Sequence, residues 1–312
     1  MAKTVGVVLS NRIAIGLVVD HKVQGELRIH PEGEESDGEL VELHTEALVR
    51  TVCEQVIRFK DSQNEISAVG VAVPGLVKAG VIEDSPNLPQ LKGARLAELL
   101  SAELHTHGLD CPVEILNDAD GVAAGLAARE GRLKDNIRVW TLGVGIGYGC
   151  YPDTPNFGEG GHTTVTLDSK ENFCGCGGRG HMEGIMGHRA MRLRFLDMEP
   201  EEIFAESRKG DRRCREFVEL WHKALAAATA SSIHTSGPGR FFITDFNARF
   251  VDLKLVKEYV HQMVKMSPFQ SYSLEVVKDS QETRVIGSAV AAEHAIARKR
   301  SAARSKGPRA VH

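Results

Sequence analysis

Glu159-Gly-Gly-His162 and, twelve residues on, Cys174-Gly-Cys176-Gly-Gly-Arg-Gly-His181-Met-Glu183 hold most of the chain's reactive side chains in one short stretch. Two thiols, two imidazoles and four carboxylates (Glu159, Asp168, Glu171, Glu183) fall between Glu159 and Glu183, punctuated by glycines. Tetrahedral zinc takes four soft or borderline ligands on a loop able to wrap tightly. His162, Cys174, Cys176 and His181 supply that set. A Cys-x-Cys pair alone is a weak zinc signal, because structural sites usually place two or more residues between their cysteines. The two flanking histidines and the glycines strengthen it, and a structural zinc is the expectation. The competing reading is a glycine-rich loop holding two buried thiols.

Working outward, the patterning is that of an α/β protein. Val5–Leu9 and Ile13–Val19 are β-branched runs separated by the turn-prone Ser10-Asn11-Arg12, which predicts a hairpin, with a third strand near Val23–Ile29. Asp37 is placed to cap a helix whose apolar residues, Leu40 to Ile57, recur at helical spacing. Ile66–Val73 reads as a strand buried on both faces, ending at Pro74-Gly75. A helix near Ala94–Thr106 and a strand Val113–Leu116 follow. That strand leads into Asn117-Asp118 and a small-residue helix to Arg129. The second half begins with a strand, Ile137–Leu142, and the glycine-rich run Gly143–Gly149. Helices are expected over 201–207, 211–232, 253–266 and 284–298, with strands at 240–244 and 273–277. Each half thus begins with glycine-containing strands and continues into α/β alternation. This predicts two α/β domains with a ligand cleft between them. The expected division is 1–118, completed by a C-terminal helix at about 285–300, then 119–284 carrying the zinc loop, then a flexible basic tail over 301–312.

Composition narrows the classes. With 312 residues, 42% apolar and 26% charged, the chain can bury a substantial core. Its net charge of −4 argues against nucleic acid as the main partner. No window approaches the roughly 18 consecutive apolar residues of a membrane span, and no signal-peptide pattern precedes the first strand. A cytoplasmic protein without a membrane partner is therefore expected, and six cysteines of which two read as metal ligands fit a reducing compartment.

These motifs together resemble the ROK family of bacterial sugar kinases and sugar-sensing repressors, from about Val5 to Ala297. The most specific element is the family's Cys-x-Cys-Gly-x-x-Gly-Cys-x-Glu. It stands here as Cys174 to Glu183 with His181 in place of the last cysteine. The upstream Glu-x-Gly-His is Glu159 to His162. The resemblance implies two ribonuclease-H-like (actin-like ATPase) α/β domains, a homodimer, and a sugar as substrate. It implies Asp118 as the general base that accepts the proton of a sugar hydroxyl as the phosphorus–oxygen bond forms. It also implies Asn87, Asn117, Asp118, Glu159, His162 and Glu183 as sugar contacts, and a zinc that holds the loop presenting Glu183. Read singly, each element has a plainer alternative: Asn117-Asp118 as a helix cap, Pro86-Asn87 as a turn, Glu159 and Glu183 as solvated carboxylates.

The nucleotide side departs from the family. Where the kinases carry Asp-x-Gly-Gly-Thr in the first hairpin, this chain has Val8-Leu9-Ser10-Asn11-Arg12, lacking the acid, both glycines and the threonine. The second phosphate loop persists as Gly143-Val-Gly145-Ile-Gly147-Tyr-Gly149, with Gly143, Gly145 and Gly147 as the expected nucleotide contacts. The late glycine run that accommodates adenosine is replaced by Thr244-Asp245-Phe246-Asn247-Ala248-Arg249, where Phe246 or Arg249 would fill the purine's space or stack on it. Binding of ATP with Mg is thereby put in doubt. Two functions are expected to compete. One is a kinase with an atypical donor site acting on a hexose or N-acylhexosamine. The other is a catalytically inactive sugar sensor, which would lack a DNA reader because the chain starts directly on its first strand.

Overall fold

The β-branched runs at the N-terminus form the strands β1 (Thr4–Leu9) and β2 (Ile13–Val19), followed by β3 (Lys22–His30). The computed structural model describes residues 2–33, 39–60, 65–152 and 158–305. After β3 come α1 (Glu39–Glu42), α2 (Thr45–Ile57), β4 (Ala68–Val73), β5 (Leu76–Lys78), β6 (Val81–Asp84), α3 (Leu96–Thr106), β7 (Val113–Asn117) and α4 (Asp118–Arg129). The second half contains β8 (Ile137–Leu142), β9 (Ile146–Tyr151), α5 (Met182–Met186), α6 (His188–Arg194), α7 (Pro200–Lys209) and α8 (Arg212–Ser236). It closes with β10 (Arg240–Thr244), α9 (Leu253–Met263), β11 (Ser273–Val276) and α10 (Gln281–Ser305). Asp37, the expected cap of the first helix, lies outside the described residues.

The chain forms two units, Met1–Lys134 with the segment from Ser280 onward, and Asp135–Asp279. In the first, the sheet order is β3-β2-β1-β4-β7, antiparallel through the hairpins and parallel from β1 to β7. In the second the order is β11-β10-β8-β9, with β8 and β9 antiparallel and β8, β10 and β11 parallel. The second sheet repeats the first without its outermost hairpin strand, so both units have the ribonuclease-H-like α/β topology of an actin-like ATPase.

Period-two alternation decides what covers the first sheet. Val5, Val7 and Leu9 of β1 and Val69, Val71 and Val73 of β4 share one core with Leu48, Val52 and Val56 of α2 and Leu100 and Leu104 of α3. Each such buried side chain contributes about 1.5–3 kcal/mol. On the other face the intervening residues include Gly6 and Gly70, and α10 lies directly on these two: a Cβ at either would collide with a carbonyl oxygen of α10, Val285 or Ser288. α10 meets α4 equally closely, with Gly287 against the Gly121 carbonyl and Gly125 against that of Thr283. Arg129 Nη1 donates to Thr283 Oγ1 at 2.6 Å at the end of this contact.

That packing moves the expected boundary. α4 belongs to the first unit, so the division falls after Lys134 rather than at 118, and it resumes at Ser280. The tail needs a second correction, because α10 continues through residues 301–305, which were expected to fray. Residues 306–312 lie outside the described residues. The β5–β6 hairpin escaped the sequence reading because three and four residues are too few to show a period. Among the described residues no helix is long and apolar enough to cross a membrane.

Candidate functional site

In the first unit the motif residues gather where parallel strands end. β4 stops at Val73 and β7 at Asn117, which are register partners, so Pro74-Gly75 and Asn117-Asp118 emerge side by side. Ligands of open α/β sheets bind at such carboxyl ends. Asn117 is the N-cap of α4: its Oδ1 accepts from Ala119 N at 2.8 Å, and its Nδ2 donates to Gly75 O at 2.8 Å. Both ends of the amide are therefore engaged within the protein. Asp118 Oδ1 also accepts from Ala119 N, at 3.0 Å, which orients its carboxylate at the positive end of α4. Ser85 ties in the second loop, donating to Pro74 O at 2.6 Å and accepting from Leu88 N at 3.3 Å. Leu88 is fully buried while neighbouring Asn87 is exposed. Pro74-Gly75, Pro86-Asn87-Leu88 and Asn117-Asp118 are thus bonded into one cluster, an association that separate motifs do not disclose.

Ser10-Asn11-Arg12 makes a self-contained turn after β1. Ser10 N and Oγ both donate to Arg12 O, at 3.0 and 3.1 Å, and the Arg12 guanidinium donates to Gly33 O.

In the second unit the cysteine stretch closes on itself. Val165 N donates to Gly180 O and Met182 N to Thr163 O, a short antiparallel pairing that brings His162 beside His181. Cys174 Sγ lies 3.3 Å from Cys176 Sγ and 3.5 Å from His162 Nδ1. His181 Nδ1 lies 3.3 Å from Cys176 Sγ and 3.4 Å from His162 Nδ1. All four ligand atoms fall within 4.8 Å of one another, a group able to hold a metal ion. Burial pushes the Cys174 thiol up to about 12 in the absence of a cation. Two carboxylates flank the group. Glu159 Oε2 is 3.8 Å from His162 Nε2, the ring nitrogen that faces away from the thiols. Glu183, in the first turn of α5, places Oε1 3.5 Å from Cys174 Sγ.

A buried ion pair anchors this stretch. Arg194 meets Glu171 through both guanidinium ends, Nη1 to Oε1 at 2.9 Å and Nη2 to Oε2. Its guanidinium also lies over Phe173 at 4.3 Å and Phe217 at 5.3 Å. Sequence reading counted Glu171 among the carboxylates and missed Arg194, whose link spans 23 residues.

The glycine run divides into a turn and a strand. Gly147 and Gly149 belong to β9 and pair with Thr141 and Val139, leaving Gly143–Gly145 as the turn. Gly143 N donates to Gly145 O at 3.0 Å, and Gly143 O accepts from His188 N and from Asn247 Nδ2, both at 3.1 Å. Ile146 N donates to Glu183 Oε2 at 3.0 Å. Asp245, which follows β10, has φ 78° and ψ 175°, a region nearly confined to glycine and costing about 1–3 kcal/mol for other residues. Its Oδ1 accepts from Phe246 N at 2.7 Å. Phe246 is 42% exposed and meets His188 edge-on, whereas Arg249 is paired with Glu201 and lies over Phe250.

A model of the ROK family matches residues 33–295 of the chain. This protein belongs to the ROK family. Its curated relatives include a glucokinase of Pyrobaculum calidifontis, 30% identical over 56% of this chain and 61% of the relative. They also include an N-acetylmannosamine kinase of Haemophilus influenzae, 31% identical over 55% of this chain and 60% of the relative. The chain therefore spans about three-fifths of the length of each. Among solved structures, a ROK hexokinase from Thermus thermophilus superposes with a TM-score of 0.75 at 21% identity, covering 95% of this chain and 99% of that one. At that identity the likeness shows the shared actin-like ATPase fold.

Proposed function

We propose that this ROK protein is a sugar kinase that transfers a phosphoryl group to a hydroxyl of a hexose or N-acylhexosamine, using an atypical donor site. The observation that carries the reading is Asp118, a carboxylate oriented at the N-terminus of α4 beside the capping Asn117. In the proposed step the sugar hydroxyl oxygen attacks the terminal phosphorus of the donor and its proton passes to Asp118. The bond between that phosphorus and the leaving oxygen breaks, and the leaving group keeps the electron pair. Asn117 positions Asp118 through the cap, and exposed Asn87 offers an amide to a hydroxyl. In the second unit Glu159, His162 and Glu183 are the proposed hydroxyl partners. The named activities of the curated kinases support this reading.

The metal is proposed to be zinc. Tetrahedral edges from Zn–N of ~2.05 Å and Zn–S of ~2.3 Å are roughly 3.3 Å between nitrogens, 3.6 Å between nitrogen and sulfur and 3.8 Å between sulfurs. The observed 3.4, 3.5 and 3.3 Å lie within about half an ångström of these. Four protein ligands would close the site to substrate, so zinc would supply loop rigidity near Glu183 and Glu159 and take no part in the reaction.

The decisive experiment is Asp118→Asn, assayed for sugar phosphate formation and, by calorimetry, for binding of a hexose panel. Turnover should vanish while sugar affinity stays within about threefold, since a base acts in the transition state. Affinity falling as far as the rate would refute the assignment. A second reading, a silent sugar-binding sensor, is favoured by the carboxylates that flank the Gly143–Gly145 turn. It predicts thermal stabilisation by sugar with no effect of ATP and Mg, and detection of sugar phosphate would exclude it.

A further inference from the structure

The Gly143–Gly145 turn has the composition of a phosphate cradle and the surroundings of something else. Backbone cradles hold anions by presenting unused N–H groups. Here Gly143 N donates to Gly145 O, and Ile146 N to Glu183 Oε2. The carbonyl of Gly143 is held from two sides, by His188 N and by the buried amide of Asn247. A carboxylate packs on each glycine: a Cβ at Gly143 would stand 2.7 Å from Asp245 Oδ2, and one at Gly145 2.6 Å from Glu183 Oε2. The glycines are thus accounted for by two internal carboxylates. A polyphosphate approaching the same backbone would meet negative charge on both sides.

We infer that Asp245 is the specificity-determining residue of the donor side, and that its carboxylate takes the anionic place at the Gly143–Gly145 turn and disfavours nucleoside triphosphates there. Three features single it out from Glu183. It follows β10, whose Thr244 is the register partner of Thr141 on β8, so it is delivered to the turn by the sheet itself. Its backbone holds a conformation suited to glycine, so the side chain is kept at a local cost. Its Oδ1 bond to Phe246 N fixes the carboxylate with Oδ2 toward Gly143. A donor able to use this protein would need a lower negative charge at this turn, or would have to displace Asp245.

The inference rests on the kinase reading only in taking a nucleoside triphosphate as the reference donor. Its test reads binding directly. ATP with Mg is titrated calorimetrically into the full chain, wild type, Asp245→Asn and Asp245→Gly. Asparagine keeps the shape and the cap to Phe246 N and tolerates positive φ better than most residues, while glycine relieves the backbone. Both variants should therefore fold, which emission from Trp140 and Trp221 verifies. ATP affinity is expected to tighten at least about tenfold in both, equivalent to ~1.4 kcal/mol. Affinity unchanged within about twofold, weakened, or undetectable in all three proteins would overturn the inference. A hexose titration of the same samples keeps the two claims separate. Loss of sugar binding throughout would sink the kinase proposal and leave the Asp245 result standing.

Discussion

Replacing Glu171 by alanine should cost far more than an ordinary loop substitution. Its carboxylate engages both guanidinium ends of Arg194, whose side chain is 17% exposed against 9% for that of Glu171. In Glu171→Ala the guanidinium stays packed against Phe173 and Phe217 with no counter-charge. Breaking one side of a buried pair costs about 3–5 kcal/mol, because the remaining ion is desolvated and uncompensated. With a urea dependence of about 2 kcal/mol per molar, that is a midpoint shift of roughly 1.5–2.5 M. The assay is specific to the second unit, because both tryptophans of the chain, Trp140 and Trp221, lie buried within it. Their fluorescence follows that unit's unfolding alone. The double variant Glu171→Leu with Arg194→Met removes both charges and should regain most of the loss. Because Gly180 N donates to Glu171 O and Cys174 is three residues on, the single variant should also bind Zn²⁺ more weakly. A midpoint shift below about 0.5 M, or a double variant as unstable as the single, would refute the reasoning.

Gly287→Ala should destabilise the first unit by about 1–3 kcal/mol in denaturant melts, since its Cβ would meet the Gly121 carbonyl; intrinsic propensity alone predicts a gain of nearly 1 kcal/mol, so the sign decides. Cys176→Ser should lower bound Zn²⁺, measured by elemental analysis after dialysis, from one per chain to well below one. His222 is held neutral, since Nδ1–H donates to Val218 O at 2.7 Å and Nε2 accepts from Asp252 N at 2.9 Å. Burial holds its pKa below the usual 6.5 despite the nearby Asp252 carboxylate. As pH falls through 6.5 the unfolded chain takes up a proton the folded one refuses, so stability should drop on the acid side; in His222→Gln that drop, followed by tryptophan fluorescence, should be shallower.

Much of the fold was legible because its signals are local. The β-branched runs, the helical spacing of Leu48, Val52 and Val56 and the cap at Asn117 each act over a few residues, and these elements form, although the single helix expected from Leu40 to Ile57 is split at Leu43-His44 into α1 and α2. What was misread was misread for lack of length or of partners. β5 and β6 are too short to show a period, and α4 was assigned to the wrong unit because its glycines meet α10, more than 150 residues away.

The candidate site divides in the same way. Sequence alone picked out His162, Cys174, Cys176 and His181 as a group able to hold a metal, because they lie on one loop whose glycines let it close. The Asn117-Asp118 pair was likewise legible as a helix cap after a strand, while the proposed role of Asp118 as base comes from the resemblance to the family's Asn-Asp pair. Tertiary structure alone decided that Arg194 anchors this loop, that Asn117 ties to Gly75, and that Glu183 and Asp245 occupy the glycine turn. Those contacts join residues 23 to 102 positions apart, brought together by strand order and helix packing. The reason is physical: a side chain's identity fixes what chemistry it can offer, but which charge faces which backbone group is set by the sheet, and the sheet is specified by the whole chain.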